Sequence, residues 1–296
     1  MKKVLVTGAN SYIGDSFRRY AEAHYNNQLS ISTIDMIDGS WRGKDFSPYD
    51  VIFHVAGIAH ADTGKADEET RKKYYAVNTE LAIETCRKAK EDGAKQFIFM
   101  SSAIIYGDSA PYGTNKRITK ETEPTPAGFY GDSKWQADKG VRALATESFT
   151  VTVLRPPMIY GKGSKGNYPT LAAMAQRLPV FPNIGNERSM LYIENLCEFL
   201  CQVMIRGEGG IFFPQNAEYT QTSELVRMIG KVSGHPIKIL KGWNWAIWLV
   251  AHMPGKVGKL ANKAFGNMSY DQSMSEYPFT YQIVSLEESI RRTEGK

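Results

Sequence analysis

Tyr130 and Lys134 stand four residues apart in the stretch FYGDSK. On a helix this spacing puts both side chains on one face. An ammonium beside a phenol favours phenolate and lowers a pKa that starts near ~10. The tyrosine can then exchange a proton with a substrate oxygen close to neutral pH. Ser101 and Ser102 follow the apolar run Gln96 to Met100 and offer a hydroxyl to the same oxygen. Open α/β sheets place ligands at the carboxyl ends of their strands. In isolation the pair describes a tyrosine and a lysine on a solvated helix. The serines before it and the turn at the start of the chain reverse that reading.

The chain opens KKVLVTGANSYIG. Val4, Leu5 and Val6 read as a buried strand ending at Thr7-Gly8, and Ile13 to Tyr20 as a helix. The turn between them lies at a helix N-terminus, where free N–H groups and the helix dipole favour a pyrophosphate. Gly8 permits the tight turn and Gly14 close helix–strand packing. Ser11 stands where a middle glycine is usual; it is small and can donate a hydrogen bond. A second strand, Leu29 to Ile34, ends at Asp35, 21 positions after Gly14. An acid there meets the adenosine ribose hydroxyls and disfavours a 2′-phosphate, so NAD(H) is favoured. Arg42 and Lys44 lie close behind and keep NADP(H) as the second candidate. The alternative for Asp35 is a turn cap within DMIDG.

The elements that must hold these groups alternate between strand and helix through the first half. Val51 to Val55 is a strand running into Ala56-Gly57, Arg71 to Ala89 a helix, and Val151 to Leu154 a further strand before Arg155-Pro156-Pro157. The helix of Tyr130 and Lys134 continues to Ala145. This rhythm predicts an α/β fold, a doubly wound parallel sheet of Rossmann type. It breaks near Gly161, so residues 1–160 are read as the dinucleotide-binding domain. Residues 161–296 are read as a smaller mixed α/β lobe, with some chain crossing back. Leu191-Tyr192-Ile193 and Gly210 to Phe213 are short strands in that lobe.

The 296 residues carry 23% charged and 42% hydrophobic side chains, ordinary for a soluble globular enzyme. The net charge of +5 is spread out; no block resembles a nucleic-acid arm. Cys86, Cys197 and Cys201 lack a metal-type constellation and read as core residues, with neither a metal site nor a disulfide framework expected. The N-terminus reads as a strand and not as a signal peptide, and a cytoplasmic enzyme is expected. Trp243 to Ala251 (WNWAIWLVA) is the most apolar window. It is too short to span a bilayer. It reads as a core or substrate-lobe helix, shallow membrane contact being the lesser reading.

The set TGANSYIG, Asp35, HVAGIA, FMSSAIIYG, YGDSK and LRPPMIYG resembles the extended short-chain dehydrogenase/reductases, specifically the nucleotide-sugar epimerases, dehydratases and reductases. The resemblance covers nearly the whole chain. It implies a Rossmann-type domain for the cofactor and a C-terminal lobe for a nucleotide-sugar. By position it assigns Ser102, Tyr130 and Lys134 to catalysis. It assigns Gly8, Ser11, Tyr12, Ile13, Gly14, Asp35, Ala56, Gly57 and Asn78, with Tyr130 and Lys134, to the cofactor. Asn78 in YYAVN matches an asparagine that supports the active-site helix; a plain helix residue is its alternative. RSMLYIENL nominates Arg188 for the substrate diphosphate. Asn167 in KGNYP falls where an asparagine meets the phosphates, and Val180 and Phe181 in LPVFP where a nucleobase packs. Arg188 as a surface charge and Phe181 as simple core are the alternatives. A homodimer follows by analogy only.

Departures narrow the activity. Family dehydratases carry an acidic pair directly after the hydroxyl residue, where this chain has Ala103 and Ile104. Two apolar side chains cannot run the proton transfers of water loss, so a 4,6-dehydratase is disfavoured. Met158 replaces an asparagine common after the Arg-x-x pattern, and the family's third strand is shortened between Asp35 and Val51. DFSPYDVIFHVAGIAH, RPPMIYGKGSKGNYP and FPNIGNERSMLYIENLCEFL are similar to bacterial capsule and O-antigen enzymes. Those reduce the C4 ketone of a UDP-4-keto-6-deoxy-N-acetylhexosamine. A UDP-hexose 4-epimerase is the alternative, since the same groups serve both reactions, and a non-catalytic dinucleotide-binding module is the third.

Overall fold

The computed structural model describes residues 1–59 and 67–295; His60, at the end of one of the quoted stretches, lies outside them. Lys2–Thr7 (β1) sends Val4 and Val6 into one apolar cluster and Leu5 into another. Alternate side chains leave opposite faces of a strand, so this sheet is covered on both sides. Tyr12–His24 (α1) buries Phe17 and Ala21 against the first cluster, and Leu29–Ile34 (β2) pairs with β1 in parallel. Residues 36–50 contain a 3-10 turn, Ser40–Gly43, with Trp41 fully buried, and no strand. The shortened third strand is therefore gone from the sheet, which ends at β2.

Val51–His54 (β3) lies on the other side of β1. The helix expected over Arg71 to Ala89 is three pieces: Glu68–Tyr75 (α2), a π-helical turn Ala76–Glu80, and Leu81–Glu91 (α3). Gln96–Met100 (β4) leads into the 3-10 turn Ala103–Tyr106, and a two-residue strand, Arg117–Ile118 (β5), follows. Phe129–Arg142 (α4) ends three residues before the expected Ala145. Thr150–Leu154 (β6) precedes Met158–Tyr160 (β7), Asn167–Arg177 (α5), Val180–Pro182 (β8) and Met190–Tyr192 (β9). Ile193 opens Ile193–Arg206 (α6) instead of closing a strand. Gly210–Phe212 (β10) then joins the main sheet, whose order is β10-β6-β4-β3-β1-β2, all parallel.

The remaining elements are Thr222–Ser233 (α7), Lys238–Leu240 (β11), Asn244–Ala251 (α8), Lys256–Phe265 (α9), Ser269–Tyr270 (β12) and Leu286–Glu294 (α10). Three parallel strand pairs, β7–β9, β5–β12 and β8–β11, knit the lobe. Helices α1, α6, α7 and α10 bury residues in the cluster on one face of the sheet; α3 and α4 bury theirs on the other. Cys86, Cys197 and Cys201 are buried core thiols, as their apolar surroundings required. The WNWAIWLVA segment is a helix but not a core one: Trp245 is 66% exposed and Trp248 49%. Its apolar residues outnumber the core surface that α8 reaches.

Candidate active site

The chain runs from β1 out to β2 and returns across β1 to β3. This reversal opens a crevice at the carboxyl ends of β1 and β3. Gly8 forms its wall. Its φ is +85°, and a Cβ there would stand 2.9 Å from the Cα and N of Ala56. Only glycine meets both demands. Ser11 caps α1, its Oγ accepting from the Gly14 N–H at 3.2 Å. The serine therefore holds the turn itself, with its own proton still to donate. Tyr12 and Ile13 begin α1, and the Tyr12 hydroxyl is buried with no partner among the described residues. On the crevice floor, His54 Nδ1 lies 2.9 Å from Thr7 Oγ1, and burial holds that imidazole neutral, pulled down to about 3. Asp35 follows β2 at the surface, with Oδ1 accepting from Ile37 N–H at 2.8 Å. The turn cap and the position expected for ribose contact are thus one residue. Arg42 is committed elsewhere, its Nε and Nη2 donating to Glu84 at 2.5 and 2.6 Å.

The π-helical turn aims Asn78 inward, as such bulges do at functional sites. Its Oδ1 accepts from Ile58 N–H at 2.9 Å, and its Nδ2 donates to Ile58 O at 3.0 Å and Ser133 Oγ at 3.2 Å. Asn78 thereby fastens the loop after β3 to α4. Gly57 in that loop has no room to spare: a Cβ would stand 3.1 Å from Asn78 Oδ1 and 3.2 Å from Lys134 Nζ. A side chain there would crowd both groups, so the loop after β3 lies close to the lysine.

Lys134 donates from Nζ to Met100 O at 3.0 Å, at the end of β4, and lies 5.0 Å over the Phe99 ring. It is 7% exposed, and burial pulls its ammonium down to about 8. Tyr130 is half-buried, its ring edge-on to Tyr74 at 5.8 Å. Burial, with Tyr74 beside it, pushes the phenol up to about 12. The spacing alone led to the opposite expectation, a phenol lowered by its lysine. Desolvation of the phenol sets that direction, and no lowering by the ammonium offsets it.

Ser102 caps the 3-10 turn, its Oγ accepting from Ile104 N–H at 3.3 Å. Ser101 is buried instead, so Ser102 is the serine presented to the crevice side. α4 is pressed against this turn: a Cβ on Gly131 would stand 2.9 Å from Ile104 O. The residue after Tyr130 thus packs on the turn that Ser102 begins. Asp138, which the sequence reading passed over, locks the arrangement. It is fully buried and accepts from Arg155 Nε and Nη2, both at 2.9 Å, and from Arg142 Nε at 2.8 Å. Arg155 also donates to the Tyr106 hydroxyl at 2.8 Å. The signal was present: Tyr130, Lys134 and Asp138 recur every four residues on one helix face.

On the lobe side, a small cleft is lined by Ala103, Met158, Arg188, Ser269 and Tyr270, among others. Among the described residues no carboxylate lines it. Arg188 Nη1 donates to Lys263 O at 2.7 Å and Ala264 O at 3.2 Å, and burial pulls the guanidinium below the usual arginine range. It forms no ion pair among the described residues. Asn167 starts α5 and Val180, on β8, is 41% exposed; neither lines the Arg188 cleft. Phe181 is 1% exposed and edge-on to Phe265, so its ring belongs to the core and offers no face to a nucleobase. Among the described residues no cluster could hold a metal ion.

Residues 4–212 match the NAD dependent epimerase/dehydratase family. Over 250 residues the chain is 27% identical to a UDP-glucose 4-epimerase of Vibrio cholerae, covering 82% of this chain and 75% of that enzyme. It is 29% identical over 214 residues to the N-acetyl-alpha-D-glucosaminyl-diphospho-ditrans,octacis-undecaprenol 4-epimerase of Escherichia coli O157:H7, covering 67% and 61%. A UDP-2-acetamido-2,6-beta-L-arabino-hexul-4-ose reductase of Pseudomonas aeruginosa is 24% identical over 212 residues, covering 68% of this chain and 49% of the reductase.

Proposed function

Because the chain belongs to the NAD dependent epimerase/dehydratase family, we propose that it reduces the C4 ketone of a UDP-4-keto-6-deoxy-N-acetylhexosamine with NADH. The observation that carries this reading is Gly57, where a Cβ would stand 3.2 Å from Lys134 Nζ, leaving a side chain little room between the loop after β3 and the lysine. Gly8 and the α1 N-terminus suit a pyrophosphate, and the glycine wall is a cradle that any Cβ would fill. The cofactor supplies hydride to C4. Tyr130 delivers the proton to O4, and a phenol held protonated at neutral pH is set for that direction. Ser102 hydrogen-bonds the same oxygen. Lys134 keeps a positive charge beside the phenolate that remains. Ala103 and Ile104 stand where loss of water would need an acid/base pair, and among the described residues no carboxylate lines the cleft beside Ala103.

The second reading, 4-epimerisation, is favoured by the activities of two of the relatives named above. One assay separates them. The purified chain is given NADH with a UDP-4-keto-6-deoxy sugar and, separately, UDP-hexoses. A reductase consumes NADH mole for mole with the keto sugar; an epimerase interconverts UDP-hexoses with no net change in NADH. Activity on neither would remove both readings.

NADH should bind more tightly than NADPH. Asp35 repels a 2′-phosphate, and Arg42 already pairs with Glu84, which leaves Lys44 as the cation that could compensate. Calorimetric titration of both dinucleotides decides it; equal or tighter NADPH binding would overturn the preference.

Arg188→Ala should weaken UDP and UDP-sugar together by roughly 1.5–3 kcal/mol, the worth of a charge-assisted hydrogen bond. NADH affinity should hold, because the crevice lies at Gly8 and Ala56. Arg188→Lys should recover only part, since a point charge cannot reproduce a forked contact. Normal UDP affinity in the alanine variant would take Arg188 out of the site, and loss of both affinities would make it structural.

A further inference from the structure

The α8–α9 hairpin leaves an apolar surface in water. Trp245, Trp248 and Leu249 follow the i, i+3, i+4 spacing of one helix face, and they are 66%, 49% and 51% exposed. Trp243, Met253 and Val257, in the same stretch of chain, are exposed as well. Exposed large apolar side chains gathered in one segment mark an interaction surface. Its chemistry is specific. From Lys238 to Tyr270 the chain carries five lysines and no Asp or Glu. Tryptophan favours the headgroup level of a bilayer, where its ring is apolar and its N–H stays wet. Lysines beside it add attraction to anionic lipid. No helix among the described residues is long and apolar enough to cross a membrane, so a surface contact is the mode left to this segment.

We propose that the α8–α9 hairpin docks on an anionic phospholipid bilayer, lying in the interface with the tryptophans inserted and the positive charge of the segment drawing it to the phosphates. A second copy of the chain is the poorer occupant. A two-fold interface would bring the same segment, with five lysines and no acid, against a second copy of itself. The proposal rests on exposure and charge and is independent of the catalytic reading. It does reach the site: Arg188 donates to Lys263 O and Ala264 O, the last turn of α9. A bilayer holding the hairpin would therefore hold the cleft of Arg188 close to its surface.

The test uses the full chain with vesicles of phosphatidylcholine alone or mixed equally with phosphatidylglycerol. Co-sedimentation should be at least ten-fold stronger with the mixed vesicles, and tryptophan emission should move to shorter wavelength on binding. The double variant Trp245→Ala, Trp248→Ala should lose ten-fold or more of that binding while keeping its circular dichroism and its NADH affinity. Lys241→Glu should weaken binding to the mixed vesicles only. Absence of binding to the mixed vesicles would overturn the proposal, as would binding indifferent to the tryptophans. Sedimentation velocity completes the set: a dimer that the double variant abolishes would assign the patch to a second copy.

Discussion

Tyr130→Phe should lower turnover about 10²–10⁴-fold, the usual worth of a positioned general acid. The ring still fills its place against Tyr74, so the fold, the melting temperature and NADH affinity should stay near those of the parent. The comparison that matters is steady-state rate beside cofactor affinity, measured on the same preparation. A variant retaining more than about a tenth of the parent rate would mean that another group protonates the substrate oxygen.

Asp138→Ala should cost about 3–5 kcal/mol of stability, because it strands the buried Arg155 guanidinium without its carboxylate. Urea unfolding followed by circular dichroism measures it. Activity should fall as well, since Asp138 ties the helix of Tyr130 and Lys134 to Arg155 beyond β6. The double variant Asp138→Leu, Arg155→Met removes both charges and should recover much of the stability, as apolar replacement of a buried pair often does. A loss below about 1 kcal/mol in the alanine variant would show that water or a neighbouring group reaches Arg155.

The main sheet was legible because its strands are short apolar runs with a glycine or serine stop after several of them, which local pattern reports well. The candidate site was legible where chemistry and spacing coincide: Gly8, Tyr130 and Lys134 are named by their own types. What escaped depends on distant partners. The π-helical turn at Asn78 is an i→i+5 pattern of backbone bonds that residue types do not announce, and the bonds of Asn78 to Ile58 and Ser133 reach residues distant in sequence. The pairing of Asp138 with Arg155 joins residues on separate elements. The direction of the Tyr130 shift turned on the burial of its phenol beside Tyr74, which no spacing states. The exposure of α8 was misread for a related reason: apolar composition does not say whether a face of the core is waiting for it.

The position of β10 in the main sheet bears on how the chain can be made. Strand β6 is paired on one side by β4, and its other side is closed only by Gly210–Phe212. Helix α1 likewise meets α6, where Glu198 accepts from the hydroxyls of Tyr20 and Tyr25. During synthesis the nucleotide half therefore emerges with an open sheet edge and a bare helix flank, and both stay open until the ribosome has passed residue 212. The growing chain must survive that interval unfinished, and cutting the gene near residue 160 would make the interval permanent.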